Sequence, residues 1–261
     1  MINVKVGGKV VTSIPAYFNE FSAQELLVYF ELLTQAKTRA DFACAWLINF
    51  LNHEIIASLT KYELADLAMT IYRNMQSLRK PLTANKFPKI TLSKKLVGPA
   101  DYLGNISFGR YIELEEQYWL YLKTQNAKHL HTLIAILYTF SNERQYDNSL
   151  VPERANLIEN EMNEAQKLII FEFYAGCREH ITERFERVFP KKNQAKKSKN
   201  RMTFLSIQKM KETFNKVMVD FAGTPDRKPE IYNTNLYTVL EFVDRQIEKN
   251  EELQRLYGTH K

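Results

Sequence analysis

Glycine, proline and cysteine are scarce in this chain: eight, eight and two among 261 residues. An all-β architecture needs frequent tight turns, and its favoured hairpin turns rely on Gly or Asn. So few turn-formers argue against one. Cys44 and Cys177 both fall within helical apolar patterns, so the expectation is two buried reduced thiols rather than a disulfide. No apolar run of roughly 18 residues exists to span a bilayer, and no signal-peptide pattern opens the sequence. A soluble, cytoplasmic protein that does not enter membranes is expected. Motifs of catalysis are missing as well. There is no G-x-x-x-x-G-K, no G-x-G-x-x-G and no G-x-S-x-G. His53-Glu54 has no second histidine four residues on, and His129 and His131 stand two apart, on opposite sides of a helix. Glu113, Glu115, Glu116, Glu159, Glu161 and Glu164 lie among Lys, Arg and Asn, as a solvated helix face does. These absences predict a protein that is not an enzyme and uses no metal or cofactor.

What the chain does hold is apolar and aromatic. Hydrophobic residues make up 45%, with 16 Phe and 14 Tyr, enough for a packed core and too many for a disordered chain. The organising stretch is 163–189, NEAQKLIIFEFYAGCREHITERFERVF. Ile170, Tyr174, Cys177, Ile181, Phe185 and Val188 recur at steps of three and four, one face of a 3.6-residue helix. Leu168, Ile169, Phe171 and Phe173 leave its first half almost without a polar face, which predicts neighbours on several sides. Gly176 permits one neighbour to approach closely, although Gly costs about 1 kcal/mol of helix propensity relative to Ala.

The remaining elements follow from local signals. INVKVGGKVVTSIP alternates about Gly7-Gly8 and predicts an N-terminal β-hairpin. Ser22 with Glu25, and Thr60 with Glu63, are capping boxes that open helices over 22–34 and 60–78. Further helices are expected over 38–52, 108–122, 126–140, 152–161, 203–221 and 233–257. Residues 81–104 read as a crossing loop with one short strand, and 222–230 as a turn-rich break. The fold class is therefore mainly α: a multi-helix bundle of about eight or nine helices with a small β-hairpin. It reads as one domain, with 1–80 and 105–261 as its two lobes.

The net charge of +6 is local. Arg73, Arg79, Lys80, Lys86, Lys89, Lys94 and Lys95 occupy 73–95 without an acid. Lys191, Lys192, Lys196, Lys197, Lys199 and Arg201 do the same in 191–201. The rest of the chain is net acidic. Such runs either contact a polyanion, nucleic acid being the obvious partner, or form a solvated loop. The 191–201 run has no aromatic residue for base stacking, which favours the loop.

Four stretches taken together resemble a family of tail-region proteins encoded by phages and prophages of Bacteroidetes-type hosts. They are IPAYFNEFSAQELL, ISFGRYIELEEQYWLYLKTQNAKHLHTLIAILY, IIFEFYAGCREHITERFERVFP and NTNLYTVLEFVDRQIEK. The resemblance implies a non-enzymatic morphogenesis protein, tail-assembly chaperone-like or a virion component. Its partners would be phage structural or tail proteins, met in the host cytoplasm or in the particle. The resemblance assigns no functional residue. A protein of this type needs an apolar face left open by its own fold. Tyr111, Tyr118, Trp119 and Tyr121, on the helix expected over 108–122, are the candidate partner-binding residues. The competing reading of that aromatic stripe is core.

Overall fold

A computed structural model of the chain describes residues 2–6, 9–15, 17–51, 53–76, 81–189, 212 and 228–257. The basic run 191–201, most of the helix expected over 203–221, and the Gly7-Gly8 turn lie outside the described residues. Within them stand ten α-helices and five short strands, so the fold is mainly α, as the periodicity predicts. The chain divides into two compact units: Met1–Phe87 with Met162–Cys177, and Pro88–Glu161 with Arg178–Lys261. The division differs from the expected lobes, because the first part of the central helix belongs with the N-terminal unit.

In the first unit, β1 (Ile2–Val6) and β2 (Lys9–Ile14) pair antiparallel from Ile2↔Ile14 to Val6↔Lys9, with an irregularity between Val4 and Lys5. Helix α1 (Ala23–Gln35) opens with the expected capping box: the Ser22 side chain accepts from Glu25 N, and the Glu25 carboxylate accepts from Ser22 N. Phe21 and Leu26 on either side of the cap are both buried. Helix α2 (Arg39–Phe50) has a second capping box, Thr38 with Asp41. Helix α3 (His53–Ser58) was not anticipated; α4 (Lys61–Gln76) starts at the Thr60–Glu63 cap. Between these helices lies an aromatic core. Phe42 stacks on Trp46 with an interplanar angle of 8°, and Tyr29 meets both rings edge-on. Such pairs contribute about 0.5–1.5 kcal/mol each beyond their buried area. Cys44 is exposed, contrary to expectation. Phe42 and Trp46, four apart, take the inner face of α2, and a residue midway between them points outward.

Helix α8 (Glu164–Arg184) is the predicted central helix, and turns carry the chain on to Phe189. Its Ile169, Ile170, Phe173, Tyr174 and Cys177 are buried. The close neighbour at Gly176 is not a helix but a connecting segment: the backbone of Leu82. Asn19 holds the same stretch. Its Oδ1 accepts from Thr83 N at 2.9 Å and Ala84 N at 3.1 Å, and its Nδ2 donates to Thr83 Oγ1 at 3.0 Å.

In the second unit the expected 81–104 loop supplies two strands rather than one. β3 (Lys89–Thr91), β4 (Lys95–Val97) and β5 (Thr139–Phe140) form an antiparallel sheet in that order, with Ile90↔Leu96 and Leu96↔Phe140 in register. Helix α5 (Phe108–Thr124) is capped by Ser107, whose Oγ accepts from Arg110 N, and ends at Gln125 in the left-handed region. Helix α6 (Ala127–Leu137) is buried over nearly its whole second half, and α7 (Val151–Glu161) lies against it. The residues expected to finish α6, Thr139 and Phe140, become β5 instead. Helix α9 (Lys228–Asn233) occupies part of the expected break and precedes α10 (Leu236–Tyr257). Phe108 N donates to Thr234 O at 2.8 Å and Leu236 N donates to Ile106 O at 2.9 Å, so α5 and α10 begin side by side.

Candidate functional site

Helix α5 carries the candidate residues, and its geometry separates them. Tyr111 is fully buried, which corrects its reading as a partner-binding residue. It shares the inner face with Phe108 and Leu114, and that half of the aromatic stripe is core. Tyr118, Trp119 and Tyr121, toward the C-terminal end, are half-buried.

Tyr118 and Trp119 meet edge-on at 5.3 Å between centroids. The guanidinium carbon of Arg178, from α8, lies 4.7 Å from the Trp119 centroid and 5.3 Å from that of Tyr118. Arg178 is held in turn by Glu115, one helical turn before Trp119. Its Nε donates to the two carboxylate oxygens at 2.8 and 3.0 Å. Glu115 is buried, not part of a solvated face as its neighbours in sequence suggest. A guanidinium on an aromatic face contributes about 0.5–2 kcal/mol, more as water is excluded. The result is a fixed plate of Trp, Tyr and Arg with a buried carboxylate as its anchor.

A second cluster lies toward the start of α5. Arg154 of α7 is fully buried and uses most of its donors: Nε to Ala135 O at 2.8 Å, Nη1 to both oxygens of Glu143 at 2.7 and 2.8 Å, and Nη2 to Asp147 O at 3.1 Å. Glu143 also accepts from Phe140 N at 2.6 Å. Glu113 collects the hydroxyl of Tyr146 at 2.6 Å, that of Tyr232 at 3.1 Å, and Asn148 Nδ2 at 3.4 Å. Arg110 donates from Nε to Ile136 O at 2.6 Å and lies 4.7 Å from the Tyr146 ring centroid. Burial pulls the Arg110 guanidinium down to about 10. Burial pushes the Tyr146 hydroxyl far up, and its hydrogen bond to Glu113 adds to the rise. Burial together with the Glu113 charge takes Tyr232 up to about 12. Both hydroxyls therefore stay protonated as donors at neutral pH. Beside this network a cavity of about 660 Å³ is lined by Lys94, Lys95, Phe140, Glu143, Leu150 and Glu153, among others.

The basic segments fare differently. Lys191, Lys192, Lys196, Lys197, Lys199 and Arg201 lie outside the described residues, as do Arg79 and Lys80. In the 73–95 run, Lys94 is paired with Glu153 and lies over the Phe140 ring, and Lys86 Nζ donates to Asn19 O. Arg73, Lys89 and Lys95 are exposed. The run is also divided between the two units, Arg73 and Lys86 falling in the first and Lys89, Lys94 and Lys95 in the second. Among the described residues no group of His, Cys, Asp and Glu could hold a metal ion, and no helix is long and apolar enough to cross a membrane. His131 is buried, while His129 Nδ1 lies 3.0 Å from Gln117 Oε1.

The residues that sequence reasoning missed are the polar and charged ones drawn into the packing. Arg178 was concealed beside Cys177 in the most apolar helix, and a basic residue interrupting that stretch was its only signal. Arg154, Glu143 and Tyr146 sit in or beside a polar loop where nothing in the pattern distinguishes buried from solvated. Comparison with protein-family models, curated proteins and solved structures finds no match to this chain.

Proposed function

We propose that this protein acts by protein–protein contact, as a non-enzymatic phage morphogenesis protein of the tail-assembly, chaperone-like kind or as a virion component. One observation supports the contact reading above the rest. Trp119 and Tyr118 stand half-buried with Arg178 laid over both rings and fixed by the buried Glu115. Trp, Tyr and Arg are the residue types that dominate binding energy at interfaces, because they bring large area at low entropic cost. Holding the guanidinium in place beforehand reduces the ordering cost of association. The phage setting comes from the sequence resemblance, and the Trp119–Tyr118–Arg178 geometry supports the contact reading.

The test is association of the purified full chain with phage tail proteins, measured by calorimetry. Trp119→Ala should weaken that association by about 2 kcal/mol or more, in the range of an interface anchor. Arg178→Ala should act through the same plate. Affinity unchanged in both variants, with helix content intact, would refute the reading. A mobility shift of an oligonucleotide by the wild-type chain, with no tail-protein binding, would replace it with nucleic-acid association.

A further inference from the structure

Arg110 is placed where a cation is least expected. It stands in the first turn of α5, a helix of 17 residues, near the positive end of the macrodipole, where anions are favoured. A guanidinium has five N–H donors. Ile136 O takes the one on Nε. The two carboxylates nearby are committed elsewhere: Glu113 to Tyr146, Tyr232 and Asn148, Glu143 to Arg154 and Phe140 N. Glu113 is three residues on, at ordinary ion-pair spacing on a helix, yet Arg110 makes no ion pair among the described residues. Its side chain is half-buried and packed on the Tyr146 ring, and among the described residues its Nη groups meet no acceptor.

We propose that the Nη edge of Arg110 is a receptor for a carboxylate supplied by an acidic segment of the protein partner. The inference rests on the protein-contact reading and names the partner's chemistry. The two free Nη groups form a planar fork that matches a carboxylate in bidentate geometry. Glu113 and Glu143 balance Arg110 and Arg154 at this corner, so a monoanion is admitted more readily than a phosphate dianion. A partner carboxylate also offsets the burial that draws the guanidinium toward neutrality.

The probe is a short fluorescein-labelled peptide alternating Glu and Ser, with its Gln-Ser counterpart, inorganic phosphate and a single-stranded oligonucleotide as comparisons. Anisotropy on the full chain should show binding of the Glu peptide and not of the Gln peptide. Arg110→Gln should weaken binding about tenfold or more, and Arg110→Lys should restore only part, since an ammonium cannot form the fork. In the wild-type chain, where folding is not in question, the Arg110 Nε–H resonance should move on adding the Glu peptide. Equal binding by a folded Arg110→Gln, or a resonance that stays put at peptide saturation, overturns the inference. So does phosphate or the oligonucleotide moving the resonance when the peptide does not. If Trp119→Ala abolishes tail-protein association while Arg110→Gln leaves it intact, this inference alone fails and the contact reading stands.

Discussion

Gly176 on the central helix faces the backbone of Leu82 so closely that a β-carbon there would lie 2.3 Å from the carbonyl oxygen and 2.7 Å from the amide nitrogen. The partner is backbone on both counts, with no flexible side-chain end to yield. Gly176→Ala would gain about 1 kcal/mol of helix propensity and lose more by overpacking, typically 1–3 kcal/mol and above when nothing can move aside. Urea denaturation should show a net loss of stability. Gly104, with φ of −61° and only Asp101 O at 3.4 Å, is the control, and Gly104→Ala should change little. A stabilised Gly176→Ala would mean that the Leu82 chain is not seated there.

Arg154 and Glu143 form a pair whose side chains are 0% and 6% exposed. Removing one partner strands the other's charge in a place that water barely reaches, which costs about 3–5 kcal/mol. Arg154→Met should therefore unfold much of the second unit, read as loss of near-UV dichroism. Arg154→Met with Glu143→Leu removes both charges and should recover a large part of the loss. It should not recover all of it, because Phe140 N, Ala135 O and Asp147 O lose partners in the double variant. A double variant no more stable than the single one would show that the ion pair is not what matters.

Glu172 on α8 is half-buried without a hydrogen-bond partner among the described residues, and burial raises its carboxyl above the ordinary 4.5. A raised acid binds its proton more tightly when folded. Between 4.5 and the raised value the folded state carries more protons than the unfolded one, so stability falls as pH rises through that window. Glu172→Gln removes the charged form and should raise Tm at about pH 7, with the gain shrinking to nothing below about pH 4. A Tm gain of equal size at both pH values would point to packing instead of charge.

The elements that the sequence determined by itself are those whose physics is local. The Ser22–Glu25 and Thr60–Glu63 caps join residues three apart, and both form as read. The hairpin strands and the long apolar helix follow from periodicities of two and 3.6. The mainly α class was legible for that reason. Tertiary structure decided which charges go inside. Arg178 meets Glu115 across 63 positions and Tyr232 meets Glu113 across 119, separations that no local pattern encodes. It also overrode local preference at Thr139 and Phe140, which leave the pattern of α6 because β4 presents an open edge to pair with. Tyr111 and Trp119 belong to one aromatic stripe in the sequence. One is core and the other half-exposed because the elements packed around α5 cover only part of it, and that cover is assembled from distant segments. Gly176 combines both sources. Its sequence context announced a close approach, and only the folded chain could say that what approaches is the backbone of Leu82, 94 residues away by number.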